Sequence, residues 1–144
     1  MTRQDSTAYA ALILRLSLGT LFIAHALLKI LVFTPAGTVH FFASLGVPGW
    51  FAWPVMAGEL AGGVLLVAGI RTRAVALALV PVLLGSIVLV HAANGWLFSN
   101  AHGGWEYPAF LLMVSFVQAL LGDGAWSAAA LFRPQVQHAR QVTA

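Results

Sequence analysis

The 144-residue sequence contains no cysteine. That excludes a structural disulfide, a thiol–disulfide relay, a zinc–thiolate site and a cysteine-ligated iron–sulfur cluster. Redox chemistry here would need a bound cofactor or another subunit. Charge is also scarce: 8% of the residues are Asp, Glu, Lys or Arg, against roughly 25% in a soluble domain. The formal net charge of +3 comes without a basic run or basic–aromatic interleaving, so no nucleic-acid partner is expected. Neither a glycine-rich phosphate loop nor a hydrolytic triad is recognisable, and there is no internal repeat.

What is present is apolar. Hydrophobic residues make up 60% of the chain and the mean hydropathy is +0.91. This is the composition of an integral membrane protein, and the length leaves room for about four spans of about 20 residues each. The expected fold is all-α: one four-helix transmembrane bundle, antiparallel and up-and-down, over residues 9–127. Its helices are placed at about 9–33, 54–70, 74–93 and 106–121. Residues 1–8 read as a short tail before the first span and 128–144 as a short cytoplasmic tail, with Trp126 and Leu131-Phe132 resting on the membrane surface. Charges inside the first apolar run, and no small-residue cleavage pattern before Thr34, favour a retained helix over a signal peptide.

Proline and glycine punctuate the rest. Pro35, Gly37, Gly46, Pro48 and Gly49 break the connection over 34–53, which has room for a short interfacial helix at 39–45. Pro54 suits a first helical turn. Pro81 predicts a kink in the third span. Gly58-x-x-x-Gly62 reads as close packing between neighbouring helices in preference to dimerisation. Asp123, between two glycines, reads as a cap on the end of the fourth helix. Trp50, Trp53, Trp96 and Trp105 suit a headgroup-level belt.

Arg3, Arg71, Arg73, Arg133 and Arg140 would share one side of such a bundle, with Arg15 close by. The positive-inside rule then places both termini in the cytoplasm of a multi-pass protein of the cytoplasmic (inner) membrane. In the first span, Arg15, Leu18, Gly19, Phe22, His25, Ala26 and Lys29 fall on one stripe. Arg15 reads as an interface residue that snorkels. His25, Lys29, Glu59, His91 and Glu106, from four spans, share the outer half of the membrane. Ionisable groups there are costly and mark candidate sites. Lys29 and Glu59 match in depth and oppose in charge, so a salt bridge is expected; Glu106 would share Lys29 or accept from His91. The pair is equally readable as structural or functional, and His25 as a core histidine or a ligand. His40 and His102 read as solvent-facing and His138 as part of the tail. Haem on His25 and His91 is the weaker reading, a metal on His25, Glu59 and Glu106 is no stronger, and no metal is expected.

Several short motifs occur in order: Arg15-Leu-Ser-Leu-Gly19, His25-Ala-Leu-Leu-Lys29, Leu45-Gly-Val-Pro48, Glu59-Leu-Ala-Gly-Gly63 and Leu65-Leu-Val-Ala-Gly69. They continue with Arg71-Thr-Arg73, His91, Glu106-Tyr-Pro108 and Gly122-Asp-Gly124. In this set, over about residues 10–127, the sequence resembles the DoxX family of small four-helix membrane proteins. Ala26 departs from the resemblance, since a glycine commonly follows the histidine. The resemblance implies a four-helix bundle. It also implies a kinship with membrane subunits of thiosulfate:quinone oxidoreductases, and with proteins that hold soluble redox-defence enzymes at the membrane.

The leading expectation is therefore an integral membrane subunit of a quinone-linked redox system, an oxidoreductase component. Its catalytic candidates are His25, Lys29, Glu59 and Glu106; Phe22, His25, His91 and Phe110 would hold the quinone. Two alternatives stand beside it: a non-catalytic scaffold for soluble redox enzymes, and a small solute-binding or transport protein. Whether the chain is itself an enzyme is left open. Expected partners are the lipid bilayer, redox-protein subunits and further copies of the chain.

Overall fold

The computed structural model describes residues 2–131, and every regular element among them is helical. Phe132, Arg133, His138 and Arg140 lie outside the described residues. Helix α1 (Arg3–Leu27) starts well before residue 9, so the expected N-terminal tail is helical instead. The reason is a capping box: the Asp5 amide donates to the Thr2 hydroxyl at 3.2 Å and the Thr2 amide to the Asp5 carboxylate at 2.8 Å. Two amides otherwise left without partners at a helix start are thereby satisfied. The helix continues beyond α1 as a π-helical turn, Leu28–Val32.

Helix α2 (Pro35–Ser44) follows, then a 3-10 turn (Gly49–Phe51) leading into α3 (Ala52–Ala68). Next come α4 (Thr72–Ala78) and α5 (Val80–Gly85), a second π-helical segment (Ser86–His91) and a 3-10 turn (Ala92–Asn94). The break between α4 and α5 falls at Leu79. Pro81 accounts for it, having no amide to donate and a ring that pushes on the Leu77 carbonyl. Helix α6 (Glu106–Leu121) has the expected bounds, and α7 (Ala128–Leu131) ends the described chain.

Three segments are long and apolar enough to cross a membrane: Arg3–Val32, Gly49–Ala68 and Thr72–Asn94. Helix α6 is apolar but has only 16 residues. Large apolar side chains such as Ile13, Leu31, Val88, Phe110 and Leu120 are exposed. Such faces fit lipid, where an apolar surface carries no cost.

Helix α1 packs mainly on α3; α4 and α5 pack on α6, which returns to α1. Leu18, Phe22, Leu66, Leu79, Leu83 and Leu111 form the core between them. The α1–α3 crossing is a backbone contact. A Cβ on Gly19 would lie 2.7 Å from the Gly63 carbonyl oxygen, and one on Gly63 would lie 2.8 Å from that of Gly19. In the predicted Gly58-x-x-x-Gly62 pair, Gly62 packs on Leu79 while Gly58 has open space around it. Gly19→Ala is therefore expected to destabilise by about 1–3 kcal/mol through overpacking. Gly58→Ala should be neutral or stabilising by up to about 1 kcal/mol, since alanine favours the helix. Thermal unfolding in detergent measures both; equal effects at the two positions would remove the crossing contact as the cause.

Two polar residues depart from their expected roles. Arg15 does not snorkel: it is 1% exposed. One guanidinium nitrogen donates to the carbonyls of Leu66 (3.1 Å) and Val67, and the other to those of Ala125 (2.9 Å) and Trp126 (3.0 Å). The last turn of α3 leaves carbonyls without helical partners, and a guanidinium, rich in donors and lacking acceptors, suits them. Gly69 closes that turn with φ of 70°, and a Cβ there would lie 2.9 Å from the guanidinium carbon. Asp123 accepts from the Thr72 amide at 3.0 Å, at the start of α4, whereas the sequence reading had it capping the end of α6. An anionic acceptor suits the amide-rich, positive end of a helix better than its carbonyl end.

Candidate functional site

The buried face of α1 is the stripe read from the sequence: Arg15, Leu18, Gly19, Phe22 and Ala26 are all buried. Its two ends serve different purposes. Arg15 ties α1 to the end of α3. Beyond Phe22, the stripe opens onto a cavity of about 540 Å³, within the range typical of small-molecule pockets.

The cavity wall is largely carbon. Phe22, Leu83 and Leu111 line it from the core, and Phe41, Phe42 and Phe51 from α2 and the turn after it. Against this background stand His25, Lys29, Glu59, Ser86, His91 and Tyr107. Lys29 Nζ donates to both carboxylate oxygens of Glu59, at 2.9 and 2.8 Å. The expected ion pair is thus present, with the Glu59 side chain at 4% and that of Lys29 at 21% exposure. An ammonium has three donors. Two go to Glu59, and the third has no partner among the described residues.

Both histidines are held by backbone. His25 Nδ1 lies 2.9 Å from the Leu21 carbonyl and His91 Nδ1 2.9 Å from the Gly103 carbonyl. A carbonyl oxygen only accepts, so in each ring Nδ1 carries the hydrogen and donates. In the neutral form of each ring, Nε2 is then the lone-pair nitrogen. Fixing one nitrogen orients the ring and selects the tautomer that offers the other to a ligand.

Backbone irregularity surrounds the same cavity. Lys29 lies in the first π-helical segment, and Ser86, Leu89, Val90 and His91 lie in the second. In the first, the Phe33 amide reaches back to the Leu28 carbonyl at 3.0 Å, and the Thr38 hydroxyl shares its hydrogen between the carbonyls of Thr34 (3.0 Å) and Lys29 (3.1 Å). Thr38 is 3% exposed, so this bond also ties α2 down over the cavity. π-turns widen a helix at a cost and gather at functional sites.

Glu106 and Phe110 are elsewhere. Glu106 accepts from the Phe98 amide at 2.6 Å, and with Phe110, Trp96 and Met113 it borders a separate outer hollow. Neither Lys29 nor His91 bonds to Glu106: Lys29 is taken by Glu59 and His91 by Gly103. His40 and His102 are exposed. Sequence reasoning did not single out Tyr107, Ser86, Phe41, Phe42 or Phe51 as cavity residues. For Phe41, Phe42 and Leu45 a signal existed in the apolar face of a helix too short to span. For Ser86 and Tyr107 there was none, because their position depends on the second π-helical segment and on how α6 packs.

Comparison with known proteins identifies the family. The family model described as DoxX matches residues 10–92. The chain is 35% identical over 112 residues, covering 78% of each chain, to a Bacillus subtilis (strain 168) protein named "Putative oxidoreductase CatD". No solved structure matches significantly. On the family match and the extent of this relative, the chain belongs to the DoxX family.

Proposed function

We propose that the protein is the quinone-binding membrane component of a redox system, a four-helix antiparallel bundle with both termini in the cytoplasm. Helix α6 would be the fourth crossing. At 1.5 Å per residue it spans about 24 Å, so it would require local thinning of the bilayer or help from flanking residues. The observation that carries the reading is an apolar cavity bearing an ion pair and two oriented imidazoles on its wall.

The residues fit such a ligand. Apolar surface is offered by Phe22 and Leu111, and a donor by the third ammonium hydrogen of Lys29. His25 Nε2 offers an acceptor that becomes a donor on protonation. A quinone supplies two-electron chemistry coupled to two protons. Lys29 would hold a carbonyl oxygen in place by hydrogen bonding. His25 would exchange a proton at Nε2, a task for which an imidazole is suited near neutral pH. Glu59 holds the ammonium in position. His91, on the same cavity wall, would offer a second imidazole nitrogen to the ligand. Electrons would come from a partner subunit, consistent with a chain that has no thiol of its own. The relative's name supports an oxidoreductase assignment of this kind.

The test is titration of the protein in lipid nanodiscs with a ubiquinone or menaquinone analogue. Saturable binding is expected in the wild type. His25→Ala should weaken binding of the reduced, quinol form of the analogue about tenfold, the worth of one hydrogen bond from its hydroxyl to Nε2. Absence of binding, or binding indifferent to His25→Ala, rejects the reading.

A further inference from the structure

We propose that α2 is a strap that controls access to the cavity from water, latched by the Thr38 hydroxyl on the Lys29 carbonyl and biased toward opening by the backbone of Thr34. This goes beyond the quinone reading and does not depend on it, since the strap bounds the cavity whatever ligand it takes.

The strap covers the cavity but is lightly anchored. Phe41 and Phe42 of α2, with Leu45 just after it, form part of the cavity wall. Helix α2 packs on its neighbours in the chain, the first π-helical turn, the 3-10 turn and α3. Of its ten residues, Thr38 alone is buried. A short helix with so little buried surface opens locally at small cost. Both of its ends are built to turn. Before it, Thr34 has φ of 63° and ψ of 154°, a conformation essentially confined to glycine and costlier still for a β-branched residue. After it, Gly46 has φ of 78°, and a Cβ there would meet nothing within 4 Å.

Opposing forces act on the strap. In an α-helix the Phe33 amide would reach the Lys29 carbonyl; here it goes to Leu28, and the Thr38 hydroxyl supplies Lys29 instead. One buried hydroxyl thus ties the strap to the residue whose ammonium holds Glu59. The Thr34 hydroxyl accepts from the Gly37 amide at 3.2 Å and fastens the first turn of α2. The backbone of Thr34 works the other way. Its strained conformation persists only while these bonds hold it, and swinging the strap aside relaxes it. The bonds keep the strap shut, and the strain lowers the cost of leaving.

The chain has no cysteine, so one introduced thiol can report on the cavity. Ser86→Cys places it on the cavity wall. Its modification by a negatively charged methanethiosulfonate is timed by mass spectrometry in lipid nanodiscs. A charged reagent arrives from water and not through lipid. In this background Thr38→Val keeps the side-chain shape and removes the hydroxyl. It should speed modification about fivefold, because the closed strap then covers a carbonyl that has lost its donor. Thr38→Ser restores the donor and should stay within about twofold of the reporter alone. Thr34→Gly should slow modification about threefold, because glycine adopts the closed backbone without strain and costs little as a cap. General loosening of the fold moves every variant the same way, so opposite signs isolate the strap. If Ser86→Cys does not fold, Gly85→Cys, on the same wall with open space around its Cβ, is the reporter. Equal rates, shifts in one direction only, or no modification in any variant overturn the strap. No quinone enters the measurement, so failure to bind quinone overturns the reading of the ligand and leaves the strap standing.

Discussion

Arg15→Ala is expected to lower the unfolding free energy by about 3–5 kcal/mol, because the Val67, Ala125 and Trp126 carbonyls lose their charged donor, while Leu66 keeps the Gly69 amide. The guanidinium reaches Leu66 and Val67 at the end of α3, and Ala125 and Trp126 after α6. One side chain thus fastens three parts of the chain. Each bond to a charged group is worth about 1.5–3 kcal/mol, but bonds sharing one donor group do not add. Arg15→Lys should recover less than half of the loss, since an ammonium cannot reach two separate pairs of carbonyls as a planar fork does. Thermal or denaturant unfolding in detergent measures both. Wild-type stability in Arg15→Ala would mean that water or lipid headgroups satisfy those carbonyls and that the residue is peripheral after all.

Lys29→Ala should be comparably damaging, by about 3–5 kcal/mol, with the lower end favoured because the Lys29 side chain is partly accessible. The damage comes from what remains: Glu59, 3% exposed, keeps a carboxylate with no counter-charge. Removing the second charge discriminates between causes. The double variant Lys29→Ala/Glu59→Gln should regain most of the loss, because a neutral amide is far cheaper to bury than an isolated anion. It should nevertheless bind the quinone analogue no better than Lys29→Ala alone, since the ammonium donor is still missing. Stability and binding would thus separate in one pair of proteins. A double variant as unstable as the single one would show that the lost lysine stem, and not the orphaned charge, is responsible.

The two predictions come from one stripe of α1, legible in the sequence as a helical periodicity. Its buried face, the paired Lys29 and Glu59, the break near Pro81 and the bounds of α6 all follow from local rules. Those rules are spacing on a helix, matched depth of opposite charges, and the missing amide of proline. The membrane character follows from composition alone, because a chain so poor in charge cannot cover a soluble surface. The ordered motifs gave the family, which the match over residues 10–92 bears out.

Where each polar group finds its partner was not legible in this way. The carbonyls that hold Arg15 lie further along the chain, one pair 51 and 52 residues on and the other 110 and 111. Thr72 claims Asp123 from across the chain, and Phe98 claims Glu106 from the loop ahead of α6. A depth argument orders residues along the membrane normal but says nothing of rotation about a helix axis, and rotation separates Glu106 and Phe110 from the cavity. Nor does periodicity foresee the two π-helical turns, which shift register for every residue beyond them. Hydropathy and spacing in the amino-acid sequence determined which segments are helical, which are apolar and which face of α1 is buried. Lys29 and Glu59 apart, only tertiary packing decided which polar atoms meet, because that depends on close approach between residues far apart in the chain.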